Sequence, residues 1–258
     1  MRSRRTSGTP ALLGRFRRDG GDAEIAHARH ACLSFGGVNE YVTMDPLAPY
    51  LFASQAWTVS MWLRHDGPTA TGQNVWNINT SSGGNISNQT FLGATNYIAV
   101  FAGPTWVTSG RFLNTNVLDG EWHHVMIAVD HAVNRLDMWV DGQHEQGSGG
   151  TVWPAISASD LVTLGAEWDS PGPTVGNFWG GDILGLAVWF EQLDLTDLAP
   201  AVYAAGPALN LRKLNPAPDR WYILGGFGFD SMTTDIQGST DAATPQNIVR
   251  ADVIGSDL

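Results

Sequence analysis

From Leu33 onward, apolar and polar residues alternate in short runs cut by Gly, Pro, Asn and Asp. A period of two marks a strand with one buried face, and the punctuation marks turns. Leu33–Phe35 ends at Gly36-Gly37, and Tyr41–Met44 stops at Asp45-Pro46. The clearest run is Trp57–Arg64, with Trp57, Val59, Met61 and Leu63 on one face and Thr58, Ser60, Trp62 and Arg64 on the other. Further strands are predicted over 74–79, 97–102, 122–130, 135–141, 162–165 and 180–190. His124–Asp130 and Leu136–Val140 should pair as a hairpin around 131–134, and Asp141-Gly142 has the chemistry of a type I′ turn. One helix is predicted over 194–204, closed by Gly206-Pro207. The chain beyond Asn215 reads as extended. Many short strands without repeated helical crossovers predict an all-β fold, a two-sheet antiparallel β-sandwich of the jelly-roll kind.

Composition agrees with that pattern. The chain has 258 residues, 43% hydrophobic and 15% charged, with 30 Gly and 13 Pro. This is enough apolar material for a core and too little charge for a disordered chain. One large sandwich with terminal segments fits the length. Cys32 is the only cysteine, so no intrachain disulfide forms. No window approaches the 18 apolar residues of a membrane span, and no apolar signal region follows Arg4-Arg5. The expectation is a chain made and folded in a cytoplasm, with no membrane contact.

Charge divides the chain unevenly. Arg2, Arg4, Arg5, Arg15, Arg17 and Arg18 lie in the first 18 residues, with no acid among them. The other 240 residues carry eight basic and 25 acidic residues, a net of −17. A basic arm on an acidic body is the pattern of a docking segment. Leu12, Leu13 and Phe16 within the arm favour a protein partner over nucleic acid. The expected division is an arm over 1–30, a sandwich over 31–206 and an extended appendage over 207–258.

Several runs resemble a known family. Leu33–Val42 resembles its opening L-x-F-x-G-x-x-x-Y-V strand pair, and Trp57–Leu63 its F-T-V-S-x-W-V strand. Asp119–Val125 resembles its G-x-W-H-H-V signature, Leu136–Gly142 its L-x-L-Y-V-D-G hairpin, and Gly180–Trp189 its F-x-G-x-I-D-E-V-x-I-Y strand. The helix expected over Leu195–Tyr203 follows in the usual place. Five motifs in order, over about 31–206, identify the chain as similar to laminin-G-like, concanavalin A-type jelly rolls. The usual acidic pair after G-x-I is replaced here by Leu184-Gly185-Leu186. Asp219–Gly225, Asp235–Ser239 and Asn247–Val253 resemble the W-Y-x-x-G … D-x-x-G-S … N-I … D-V ending of laminin-G-like proteins of tailed bacteriophages, marine ones especially.

That resemblance implies a non-enzymatic virion structural or decoration protein. It would be assembled in the host cytoplasm and anchored by its terminal arms to other virion proteins of capsid or tail. The alternative is a carbohydrate-binding adhesin recognising host-surface glycans. A homo-oligomer would suit either reading.

Candidate chemistry is sparse. His123 and His124 are adjacent on a predicted strand and face opposite ways, so they do not share one metal ion. The six Glu (24, 40, 121, 145, 167 and 191) are scattered, and no paired-carboxylate strand of a glycosidase is present. Calcium is the ion the resemblance implies, with Asp169, Asn177 and Asp182 as candidate ligands. Trp57, Trp122, Trp139 and Trp189 lie inside strand motifs and are assigned to the core. Trp76, Trp106, Trp153, Trp168 and Trp179 lie in or near Gly/Pro/Ser/Asn-rich stretches and are the candidates for a glycan or interface role. Docking is assigned to Arg2, Arg4, Arg5, Arg15, Phe16, Arg17 and Arg18.

Overall fold

The computed structural model describes residues 31–65, 67, 73–79, 86–92, 98–102, 105–107, 115–149, 155–168, 175–207, 209–222, 224, 243–248 and 253–255. The arm residues Arg2, Arg4, Arg5, Arg15, Phe16, Arg17 and Arg18, together with Trp153 and Asp169, lie outside these.

The strands are β1 (Ala31–Gly36), β2 (Tyr41–Thr43), β3 (Ala56–Arg64), β4 (Gln73–Asn79), β5 (Ile86–Leu92), β6 (Ile98–Ala102), β7 (Thr105–Val107), β8 (Trp122–Asp130), β9 (Arg135–Val140) and β10 (Gln143–Gly149). They continue with β11 (Leu161–Leu164), β12 (Glu167–Trp168), β13 (Val175–Gly176), β14 (Gly180–Trp189), β15 (Arg220–Tyr222), β16 (Thr244–Gln246) and β17 (Val253–Gly255). Helix α1 spans Ala48–Ser54 and α2 spans Leu198–Ala205. The first sheet runs β10-β9-β8-β3-β14-β1-β17, with β15 also on β14. The second runs β16-β2-β11-β4-β5-β6-β7, and β12 pairs β13. All pairings are antiparallel.

The core lies between the two sheets. Trp57, Val59, Met61 and Leu63 of β3 face Trp76 and Ile78 of β4 and Val162 and Leu164 of β11 in one buried cluster. This is the face that alternation assigned. Burying each large ring contributes ~2–3 kcal/mol, and Trp57 also packs on Trp76 with centroids 6.3 Å apart.

The other face of β3 is buried too. Leu193, Leu195, Ala199, Val202 and Leu211, from the segment that carries α2, close over Met126, Ala128, Ala187 and Trp189 to form a second apolar cluster. The first sheet therefore has apolar contacts on both sides. Thr58 and Ser60, which alternation sends outward, are buried in consequence.

Local chemistry sets the details. The β8–β9 hairpin turns over 131–134, where the Asp130 carboxylate accepts the Ala132 N–H at 2.8 Å. Asp141 and Gly142 both have positive φ, 50° and 70°, as a type I′ turn requires. Gly142 is constrained further: a Cβ there would lie 3.0 Å from Pro200 Cα, so α2 packs directly on this turn. In β14 the register to β3 shifts between Leu184 and Ala187. Gly185, at φ 60°, is the extra residue of this bulge.

Three expectations are corrected. Helix α2 begins at Leu198, not 194, because the Asp194 carboxylate takes the Thr196 N–H at 3.0 Å and holds a turn first. Residues 48–54 form a helix where none was expected. The segment after 206 is not simply an extended appendage, because β15 pairs β14, β16 pairs β2 and β17 pairs β1. Both sheets take strands from it.

Candidate functional site

The side of the second sheet away from the main core is polar but buried: Asn74, Asn77 and Thr163 are at most 2% exposed. A bulge in β4 between Asn74 and Trp76 lets Val75 and Trp76 both face the core, leaving Asn74 on the outer side with Asn77. Across the sheet, one cross-strand row runs through Thr244, Thr43, Thr163, Asn77, Gln89, Phe101 and Trp106 in the backbone register. Thr163 and Asn77 in this row are buried.

At the end of this face the short β12–β13 hairpin brings Glu167 against Asn74. One oxygen, Oε2, accepts the side-chain N–H groups of Asn74 and of Asn177, each at 2.6 Å. The Asn74 backbone N–H donates to the Asn177 carbonyl at 2.8 Å, which locks the two asparagines to each other. Asn177 reaches this position at φ 49°, a left-handed conformation that asparagine tolerates. Glu167 is only 4% exposed, so its carboxylate is a desolvated acceptor held in one direction.

An aromatic group gathers at Trp168, the residue after Glu167 on β12. Tyr41 meets Trp168 edge-on with centroids 6.5 Å apart, and Phe178 at 6.2 Å. Trp168 is half-buried, and its indole N–H is itself buried and meets no acceptor among the described residues. Fixed polar groups beside aromatic faces are the chemistry that hydroxylated rings require, with hydrogen bonds for the hydroxyls and ring faces for the C–H side.

The candidate tryptophans divide. Trp76 and Trp179 are fully buried. Trp76 fills the core against Trp57, and Trp179 packs edge-on to His65 at 4.9 Å. Neither offers a ring to solvent, which corrects their place among the surface candidates. Trp106 sits on β7 in register with Phe101. Among the candidates whose side chains are described, Trp168 is the one at the Glu167 cluster, as the next residue on β12. Of the strand tryptophans, Trp57 and Trp189 are core, while Trp122 and Trp139 are half-buried.

Of the predicted calcium ligands, Asp169 lies outside the described residues, and Asn177 and Asp182 take different partners. Asp182 is on the first sheet, where its Oδ2 takes Arg64 Nε at 2.9 Å and Nη2 at 2.8 Å beneath the Trp122 ring. Asn177 belongs to the Glu167 cluster. Among the described residues, no group of three or more His, Cys, Asp and Glu is placed to hold a metal ion. Glu167, Asn74 and Asn177 do not fit a cation as arranged, because both amides turn N–H groups, not oxygens, toward the carboxylate.

The two histidines take opposite roles. His124 is fully buried, and burial pushes its pKa down to about 4. Its Nε2 is 2.9 Å from Ser60 Oγ, and its ring lies 5.0 Å from Trp62. A base that weak is poorly matched to proton abstraction near neutrality, and Ser60 is itself buried. The pair is a cross-strand tie rather than a nucleophile and base. The cleft beside it, lined by Trp62, Leu184, Val202 and Trp221, is apolar. His123 faces the other way, between two carboxylates.

Sequence reasoning named Asn177 with Asp169 and Asp182 but not with Glu167 and Asn74, and it named Glu167 only as one of several scattered acids. The link between Glu167 and Asn74 spans 93 residues and leaves no local pattern. No helix among the described residues is long and apolar enough to cross a membrane.

Comparison with known proteins places the chain. The model of the Laminin_G_3 family, described as the concanavalin A-like lectin/glucanases superfamily, matches residues 35–199. No curated protein matches in sequence. Among solved structures, a candidate carbohydrate-binding protein of Bacteroides ovatus superposes with a TM-score of 0.56 at 14% identity, covering 89% of this chain and 60% of that one. A heptameric pentraxin of Limulus polyphemus gives 0.45 at 17% identity, over 69% and 84% of the two chains. A sialidase of Trypanosoma rangeli gives 0.45 at 16%, over 60% and 23%. This chain thus spans well under two thirds of the Bacteroides and Trypanosoma proteins. At these identities the likeness is one of fold.

Proposed function

The chain belongs to the concanavalin A-like lectin/glucanase superfamily, and from that premise we propose that it is a non-catalytic module that binds carbohydrate on the outer side of its second sheet. The observation that carries the reading is the Glu167 carboxylate, fixed by Asn74 and Asn177 at 2.6 Å each on a hairpin whose Trp168 meets Tyr41, which in turn meets Phe178. The Bacteroides neighbour, itself a candidate carbohydrate-binding protein, supports the ligand class. Among the described residues no set of oxygens is turned toward an ion, and the proposed binding is calcium-independent. A glycan array probed with the full chain, with calcium and with chelator, tests this. The expected result is at least one glycan retained equally in both conditions. No retained glycan, or retention only with calcium, overturns it.

A second reading concerns where the module works. The resemblance of 219–253 to phage laminin-G-like endings, and the Arg-rich arm on an acidic body, favour display on a tailed-phage particle with other virion proteins as partners. Display and glycan binding are compatible. Deleting residues 1–30 should abolish incorporation into particles, scored by immunoblot of purified virions. Undiminished incorporation removes the arm from any anchoring role.

A further inference from the structure

The G-x-W-H-H-V signature contains a charged group that the proposed carbohydrate site does not use. His123 lies at the start of β8, paired with Leu63, whose side chain faces the core. Its Nδ1 is 2.7 Å from Asp141 Oδ2, and its Nε2 is 3.0 Å from Asp119 Oδ1. A neutral imidazole carries one N–H and one bare nitrogen, and an ionised carboxylate only accepts. Both contacts can be hydrogen bonds only if both ring nitrogens carry protons. The geometry therefore calls for an imidazolium between two carboxylates.

The two carboxylates belong to separate parts of the fold. Asp141 sits in the β9–β10 turn, and its other oxygen accepts the His124 N–H at 2.8 Å. Asp119 sits in the connection 115–121 that enters β8, and it also accepts the Glu121 N–H at 2.9 Å. That connection carries Val117 and Leu118 into the main core and donates Gly120 N–H to the His65 carbonyl. Its Thr115 hydroxyl donates to Glu145 of β10 at 2.8 Å.

We propose that the His123 imidazolium is a pH-sensitive clasp that holds the connection 115–121 against the β9–β10 turn, and that losing its proton releases the connection. The ionisable neighbours are Asp119 from the connection, Asp141 from the turn and His124 beside it on β8, which faces the opposite side of the sheet. Burial works against the charge on His123, but the hydrogen bonds and the charges of Asp141 and Asp119 outweigh it and raise its pKa. Hydrogen bonds from the Glu121 N–H and from His123 lower the pKa of Asp119 against the opposing effect of burial. A histidine with a raised folded pKa stabilises fully below its unfolded value of about 6.5 and loses this as pH rises through the folded pKa. The depressed Asp119 adds stability that is lost only at acid pH, as pH falls through its folded value. The clasp is thus closed below about 6.5 and opens as pH rises through the raised folded value of His123.

The test uses the full chain with ¹⁵N-labelled histidine. Long-range ¹H–¹⁵N spectra between pH 5 and 9 should show both His123 nitrogens protonated at pH 6.5, with a midpoint above 6.5. Hydrogen exchange of the Val117, Leu118 and Gly120 amides should accelerate through the same midpoint, beyond the tenfold per pH unit of intrinsic base catalysis. Asp119→Asn should lower the His123 midpoint and bring the accelerated exchange to lower pH. A single neutral tautomer at pH 6.5 overturns the proposal. So does exchange that follows only the intrinsic slope, or a midpoint that Asp119→Asn leaves in place.

Discussion

The outer faces of the two sheets solve the same problem in different ways. Over the first sheet, the chain folds back and seals Met126, Ala128, Ala187 and Trp189 beneath Leu195, Ala199 and Val202. Over the second, the outer side is Asn74, Asn77 and Thr163, with a buried carboxylate at the end. An apolar face closed by its own chain has most of its energy in packing, and what it leaves open is the cleft beside Ser60 and Trp62. A polar face with fixed donors and acceptors is costly to desolvate, and its groups must be paired by the protein or by something bound to it. The proposed function places stability on the first face and recognition at the half-buried end of the second, beside Tyr41 and Trp168.

Substitutions can break that assignment. The largest effect should come from the sealed face: Trp189→Ala removes a fully buried ring and should cost ~3–5 kcal/mol in chemical denaturation, without a ligand-specific effect. Gly142→Ala should come next, at about 1–3 kcal/mol, because a Cβ at φ 70° meets Pro200 and pushes α2 from the turn. On the polar face, Glu167→Gln keeps the shape and loses the charge. Weakening two charge-assisted hydrogen bonds should cost about 1 kcal/mol in the same assay. Trp168→Ala should be mildest, at about 0.5–1 kcal/mol, since it loses chiefly the edge contact with Tyr41. If Trp168→Ala destabilised the fold as much as Trp189→Ala, the distinction between the faces would fail.

The sequence made the first sheet legible and the second only partly so. Alternation over Trp57–Leu63 placed the core face of β3 correctly, and Asp141-Gly142 marked its turn, because both signals are local. The tail strands β15, β16 and β17 are three residues each and pair with partners far along the chain, so no periodicity could reveal them. Helix α1 was hidden by Pro49, which its second position tolerates. Trp76 was misplaced because asparagines surround it. Those asparagines turned out to be the outer polar face, and the bulge at Val75 is what separates them from the ring. The Glu167 cluster depends on that bulge, on a two-stranded hairpin and on the left-handed Asn177, none of which composition announces.

The central claim is that the Glu167 end of the second sheet binds carbohydrate. Its most direct test is titration of the glycan best retained on the array against the wild-type chain, Trp168→Ala and Trp189→Phe. The account predicts that Trp168→Ala weakens binding at least tenfold while the folded Trp189→Phe chain binds as the wild type does. Unchanged affinity in Trp168→Ala, or an equal loss in Trp189→Phe, would contradict it.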